Sequence, residues 1–88
     1  MKVEFRRSFT KDIKTVSGKT LLKKVKEAIE TVEKVGTLNN LPNLKKLKGG
    51  DNYFRLKIGD YRLGFALENE TIIFVRFLHR KDIYKFFP

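Results

Sequence analysis

The feature that most constrains the fold is a run in the second half of the chain in which cationic and apolar residues alternate at strand period. Gly59 and Asp60 interrupt this run with the composition of a two-residue hairpin turn. Such a turn places Lys57 opposite Arg62, and the alternation puts Arg55 on the same face as both. The apolar members of the run fall on the other face, which is predicted to pack against helices: Phe54, Leu56, Ile58, Tyr61, Leu63 and Phe65.

A second turn signal, at Asn69 and Glu70, extends this hairpin by a third strand. The face that carries Arg55, Lys57 and Arg62 is the basic face. Continuing the alternation through the turn adds four residues to it: Ile73, Val75, Phe77 and His79. Gly64 and Ala66 lie beside them and predict a shallow floor with little side-chain bulk. The same register sends Arg76 to the core side. A bulge, a longer turn or a guanidinium that reaches past the sheet edge would each relieve that conflict.

The first half of the chain predicts one strand and two helices. Residues 2–6 alternate as a short strand, and Ser8 is a candidate N-cap for a short helix whose shared face is formed by Phe9, Ile13 and Val16. Apolar residues recur at helical spacing over residues 19–35, which predicts an amphipathic helix that ends at Gly36. The leucines of the following connection recur every third residue, and we expect them to pin it to the core: Leu38, Leu41, Leu44 and Leu47.

The element order is therefore β-α-α-β-β-β. It predicts a single α+β domain over residues 1–88, with two N-terminal helices packed on one face of an antiparallel sheet. The apolar residues near the C-terminus fit either a short helix or an extended tail: Ile83, Tyr84, Phe86 and Phe87.

Charge and composition limit the partners. The chain has 20 Lys and Arg residues against 10 Asp and Glu residues, a formal net charge of +10, which implies a polyanionic partner. Nucleic acid, an acidic protein and an anionic membrane surface all satisfy that requirement. With no cysteine and one histidine, neither a metal site nor another cofactor is predicted. No apolar run is long enough to span a bilayer and no signal peptide is evident, so we expect a cytoplasmic protein without a membrane partner.

Residues 79–84 form a second group of basic residues, near the C-terminus, and they contribute to a family resemblance. With its segments 44–49, 61–63 and 79–84, the chain resembles the RelE branch of the RelE/ParE superfamily, the toxins of bacterial and archaeal toxin–antitoxin pairs. The resemblance implies an mRNA endonuclease that cuts in the ribosomal A site. It also implies a hetero-oligomer with a cognate acidic, RelB-like antitoxin. Matched by position, the implied active-site residues are Arg55, Lys57, Arg62, Arg80 and Tyr84.

Three details depart from the family pattern. Arg55 stands where lysine is common, and the spacing from Arg80 to Tyr84 is shorter than in some members. His79 stands where some members have no ionisable group. These departures bear on which residue moves which proton.

The residues themselves can support RNA cleavage without a metal, because RNA carries its own nucleophile in the 2′-hydroxyl. Arg55 and Arg62 offer forked donors to phosphate oxygens, and Lys57 between them is a candidate general base. Arg80 would stabilise the developing charge or assist the leaving group. Tyr84 would stack on a base or help to move a proton, and His79 is the competing acid–base candidate. The expected product is a 2′,3′-cyclic phosphate, and DNA should survive.

Alternative functions remain open at this point. A ParE-like protein would poison DNA gyrase without nuclease chemistry, and a degenerate domain would only bind RNA. Four lysines are either solubilising or grip ribosomal RNA phosphates in a salt-sensitive, sequence-blind way: Lys45, Lys46, Lys48 and Lys81.

Overall fold

The structure is a computed structural model that describes residues 2–34, 41–47 and 52–88. Its strands are β1 (Lys2–Phe5), β2 (Leu44–Lys46), β3 (Tyr53–Ile58), β4 (Tyr61–Glu68) and β5 (Thr71–His79), and its helices are α1 (Arg7–Lys14), α2 (Lys19–Lys34) and α3 (Ile83–Phe86). The described strands form one five-stranded sheet in the order β1-β5-β4-β3-β2. β1 runs parallel to β5, and the other neighbours are antiparallel.

The predicted α+β class and element order are confirmed. The structure adds β2 within the long connection and resolves the C-terminal alternative in favour of a short helix, α3. Within the described residues, no helix is both long and apolar enough to cross a membrane.

The hairpin of β3 and β4 has the predicted register. Ile58 pairs with Tyr61, and Lys57 pairs with Arg62. The turn between them contains Gly59 at φ 59°, a conformation that glycine adopts without steric cost. The apolar residues of the hairpin's other face join the main core with residues of α1 and α2, which confirms the predicted helix side. Two of them, Leu63 and Phe65, are fully buried, which contributes about 1.5–3 kcal/mol each.

The two N-terminal helices differ from the prediction in detail. α1 begins at Arg7 with Arg6 in the N-cap position, so the prediction that Ser8 caps it was wrong. Ser8 lies in the first turn, and its hydroxyl donates a hydrogen bond to the Val75 carbonyl at 2.6 Å. In α2 the residues Val25 and Val32 are buried as its periodicity predicts. The predicted helix end at Gly36 lies outside the described residues.

A β-bulge in β5 resolves the predicted conflict at Arg76. Phe65 pairs with Phe74 and Gly64 pairs with Arg76, so Val75 is the extra residue. The shift carries Phe77 into the core, where it is 2% exposed, and aligns His79 with Tyr61 on the helix side. The prediction that Phe77 and His79 lie on the basic face was therefore wrong.

Asp12 of α1 secures the bulged part of β5. Its carboxylate accepts hydrogen bonds from Arg76 Nε at 2.8 Å and Arg76 Nη2 at 3.1 Å. The same carboxylate accepts the backbone N–H of Phe77 at 2.9 Å. Since β1 ends at Phe5, α1 takes over the edge of β5 through these side-chain bonds.

The C-terminal segment packs on the basic face of the sheet, opposite α1 and α2. Ile83 and Phe87 form a second apolar cluster with Leu47, against which three strand residues pack: Tyr53, Val75 and Leu78. The ring of Phe87 lies directly on Gly64. Gly64 and Ala66, the predicted shallow floor, are both buried, and the Phe87 ring covers the floor at Gly64.

The leucines of the connection pack as predicted where they are described. Leu41 and Leu44 contact the main core, and Leu47 belongs to the second cluster. Leu38 lies outside the described residues.

Candidate active site

The cations predicted to share one face do share it. Lys57 pairs with Arg62 across β3 and β4, and Arg55 pairs with Gly64 in the same register. Lys45 on β2 pairs with Arg55 and extends the row to the sheet edge. Within the described residues none of these cations is in an ion pair. Their mutual repulsion opposes folding, and a bound polyanion would relieve it.

The hairpin turn positions two of the predicted site arginines, Arg62 and Arg80. Arg62 donates from Nη1 to the carbonyls of Gly59, at 3.0 Å, and of Tyr61, at 2.9 Å, so its guanidinium is held beside the turn. The backbone N–H of Arg80 donates to the Asp60 carbonyl at 2.8 Å. The end of β5 is thereby held at the same turn. Arg80 follows β5 directly, and its side chain is exposed.

Tyr84 is brought to the basic face by α3. Its hydroxyl accepts a hydrogen bond from Arg55 Nε at 3.3 Å, although the two residues are 29 positions apart in the chain. The side chain of Tyr84 is 56% exposed, so most of the ring is open to a ligand. A cavity of about 420 Å³ lies beside it, lined by Lys45, Lys46, Leu47, Tyr84, Phe87 and Pro88. Cationic, aromatic and hydroxyl groups therefore meet at one surface, which suits a phosphate with a base attached.

Known proteins are similar to this chain in sequence. Residues 3–84 match the family model described as the ParE toxin of the type II toxin–antitoxin system parDE. Toxin RelE3 of Methanocaldococcus jannaschii is 46% identical over 89 residues, with 100% of both chains covered. The chain belongs to the RelE/ParE superfamily of type II toxins.

Solved structures of the superfamily have the same fold. The RelB–RelE antitoxin–toxin complex from Methanococcus jannaschii matches with a TM-score of 0.80 and 42% identity, covering 97% of this chain and 99% of that one. The archaeal RelE–RelB complex from Pyrococcus horikoshii OT3 has a TM-score of 0.74 at 18% identity, covering 90% of this chain and 93% of that one. The second likeness extends to the fold alone.

Among the predicted site residues, His79 stands apart from the others. It lies opposite Tyr61, with the two rings edge to face at 5.5 Å. Its Nδ1 atom accepts the backbone N–H of Lys81 at 3.1 Å, which places the proton of a neutral ring on Nε2. Since Arg55 and Lys57 lie on the other face, this geometry disfavours His79 as the acid or base that serves them.

Asn43 is a site residue that the sequence analysis missed. Its carbonyl accepts both the backbone N–H of Lys57 and Arg55 Nη1, each at 3.0 Å, so it orients the Arg55 guanidinium. Asn43 has φ 64°, a left-handed conformation that asparagine tolerates better than most residues. The adjacent Pro42 and Asn43 form a recognisable turn signal, but nothing in the sequence shows which strand their carbonyls face.

The predicted RNA-binding lysines are exposed where they are described. Lys45 and Lys46 lie on β2, and Lys81 lies in the turn before α3. Lys48 lies outside the described residues.

Proposed function

We propose that this toxin is a metal-independent endoribonuclease that cleaves mRNA in the ribosomal A site and so inhibits translation. The observation that carries the proposal is the hydrogen bond between Arg55 Nε and the Tyr84 hydroxyl, beside the Lys57–Arg62 pair. Residues distant in sequence supply two guanidinium groups, an ammonium group and a phenol to one surface. Metal-free cleavage of RNA needs donors for phosphate charge and groups that move protons, and these side chains are chemically suited to both.

The reaction is a transfer within the RNA. The 2′-oxygen loses its proton and attacks the adjacent phosphorus, the bond from phosphorus to the 5′-oxygen breaks, and the 5′-oxygen is protonated. The products are a 2′,3′-cyclic phosphate and a free 5′-hydroxyl. Arg55 and Arg62 neutralise the phosphate oxygens, and Lys57 is the candidate acceptor of the 2′-hydroxyl proton. Arg80 stabilises the leaving oxygen.

We further propose that a cognate acidic, RelB-like antitoxin neutralises the protein in a hetero-oligomer. The formal net charge of +10 favours an acidic partner, and so does the row of cations on β2, β3 and β4, which form no ion pair within the described residues. The similar archaeal RelE chains were solved together with a RelB antitoxin. The same surface charge would hold the toxin on ribosomal RNA, with Lys45, Lys46, Lys48 and Lys81 as phosphate contacts.

A gyrase poison is the second candidate, because the matching family model is that of ParE. Primer extension on messages from translating ribosomes separates the two functions when run beside a gyrase supercoiling assay. We expect cuts within A-site codons and unimpaired supercoiling. Supercoiling defects without new message ends would establish the ParE-like function instead, and binding of ribosomes without either effect would indicate a degenerate RNA-binding domain.

The role of Tyr84 can be tested by removing only its hydroxyl. We expect Tyr84→Phe to slow cleavage roughly tenfold, because the lost hydrogen bond to a charged guanidinium is worth about 1.5 kcal/mol. Single-turnover cleavage of ribosome-bound message measures this loss. Full activity in Tyr84→Phe with impaired activity in Tyr84→Ala would show that the ring acts by stacking on a base.

A further inference from the structure

Gly64 lies in the middle of β4, beneath the ring of Phe87. A Cβ atom on Gly64 would lie 2.8 Å from Cδ2, 2.9 Å from Cε2 and 3.0 Å from Cγ of that ring. Carbon atoms do not approach so closely, and Phe87 is only 2% exposed, so its ring has little freedom to move aside. Position 64 therefore has to be glycine for the ring to keep this place.

Phe87 is tied to Tyr84 through α3. The backbone N–H of Phe87 donates to the Ile83 carbonyl at 2.8 Å, and the N–H of Lys85 donates to the Asp82 carbonyl at 3.0 Å. Ile83 is fully buried in the same apolar cluster as Phe87. The depth at which the Phe87 ring rests on the sheet therefore sets the height of the helical turn that carries Tyr84.

A second contact restrains the same turn from the side. The guanidinium of Arg76, held by Asp12, lies 5.6 Å from the centre of the Phe86 ring. Phe86 is 59% exposed, so this cation–π contact is the weaker of the two restraints. The contact between Gly64 and Phe87 is buried, and the ring has no room for an added atom beneath it.

We propose that Gly64 is a positioning residue for catalysis: its missing side chain lets Phe87 seat α3 at the depth where the Tyr84 hydroxyl reaches Arg55. This inference rests on the proposed function, in which Tyr84 serves RNA cleavage. Arg55, Lys57 and Arg62 are fixed by the strands and do not depend on α3. The contact between Gly64 and Phe87 therefore acts on turnover and leaves phosphate binding intact.

The test is Gly64→Ala, which adds one methyl group under the ring. We expect kcat on ribosome-bound message to fall by up to roughly tenfold, the loss expected when the Tyr84 hydroxyl is removed, while KM stays close to the parent's value. Gly18→Ala is the matched control. A Cβ there meets only Leu21 Cβ at 3.9 Å, an ordinary contact, so parental activity is expected.

Three measurements distinguish positioning from general destabilisation. Gly64→Ala combined with Tyr84→Ala should be no slower than Tyr84→Ala alone, because both act through Tyr84. Phe87→Leu in the Gly64→Ala background should restore part of the activity, because the shorter side chain makes room for the methyl group. Hydrogen exchange at the Lys85 and Phe87 amides should accelerate in Gly64→Ala while the amides of β3 and β4 stay protected.

The proposal is overturned if Gly64→Ala cleaves and exchanges like the parent, or if its loss adds fully to that of Tyr84→Ala. If Gly64→Ala does not fold, the Phe87→Leu single variant tests the proposal instead. Its shorter side chain leaves a gap between α3 and the sheet, so α3 loses the same support. Faster tail exchange and slower turnover would support the inference, and parental values would overturn it. If the parent protein cleaves no message, the proposed function fails, and tail exchange still decides whether Gly64 holds α3 in place.

Discussion

Replacing Arg62 with alanine should slow cleavage of ribosome-bound message by roughly 10²–10³-fold, the usual cost of removing one donor that stabilises a transition state. The guanidinium is held by the carbonyls of Gly59 and Tyr61, so it is already oriented before RNA arrives. A pre-oriented donor needs no reorganisation as charge develops on the phosphate. The measurement is the single-turnover rate at saturating toxin, which separates the chemical step from ribosome binding.

Two variants serve as controls for this loss. Lys23→Ala removes an exposed cation from α2, far in sequence from the site, and should leave the single-turnover rate unchanged. Arg62→Lys keeps the charge but loses the forked donors, and should recover only part of the rate. Equal rates in the parent and in Arg62→Ala would remove Arg62 from the active site.

The hairpin of β3 and β4 was predictable because two local rules determine it. A two-residue turn fixes which residues pair, and the strand period fixes which face each side chain takes. Lys57 and Arg62 could therefore be placed opposite each other without any long-range information. The cationic half of the site follows from the sequence for the same reason.

The facing of the side chains in β5 was predictable only up to Phe74. A bulge shifts the register by one residue, and every side chain beyond it changes face. Phe77 and His79 were predicted on the basic face and lie on the helix side instead. The one sign of the bulge in the sequence was that an uninterrupted register would place Arg76 on the core side. Its partner Asp12 lies 64 positions away, and no periodicity in the sequence joins the two residues.

The remaining part of the site depends on contacts across the whole chain. The meeting of Tyr84 with Arg55 requires α3 to pack on the sheet, and that packing depends on Phe87 finding Gly64. The sequence predicted a shallow floor at this glycine, and in the structure the absent side chain makes room for an aromatic ring. Local propensity describes the strands well, but the choice of what covers them is a tertiary property.

Asp12→Ala should lower the free energy of unfolding by about 3 kcal/mol, because it leaves the partly buried guanidinium of Arg76 and the N–H of Phe77 without their shared acceptor. For a domain of this size the melting temperature should fall by more than about 10 °C, which thermal unfolding followed by circular dichroism measures. Asp12→Asn keeps an acceptor oxygen and should lose less. Glu27→Ala removes an exposed carboxylate of α2 and should leave the melting temperature nearly unchanged. Equal melting temperatures for Asp12→Ala and Glu27→Ala would show that α1 is held to β5 by its apolar face alone.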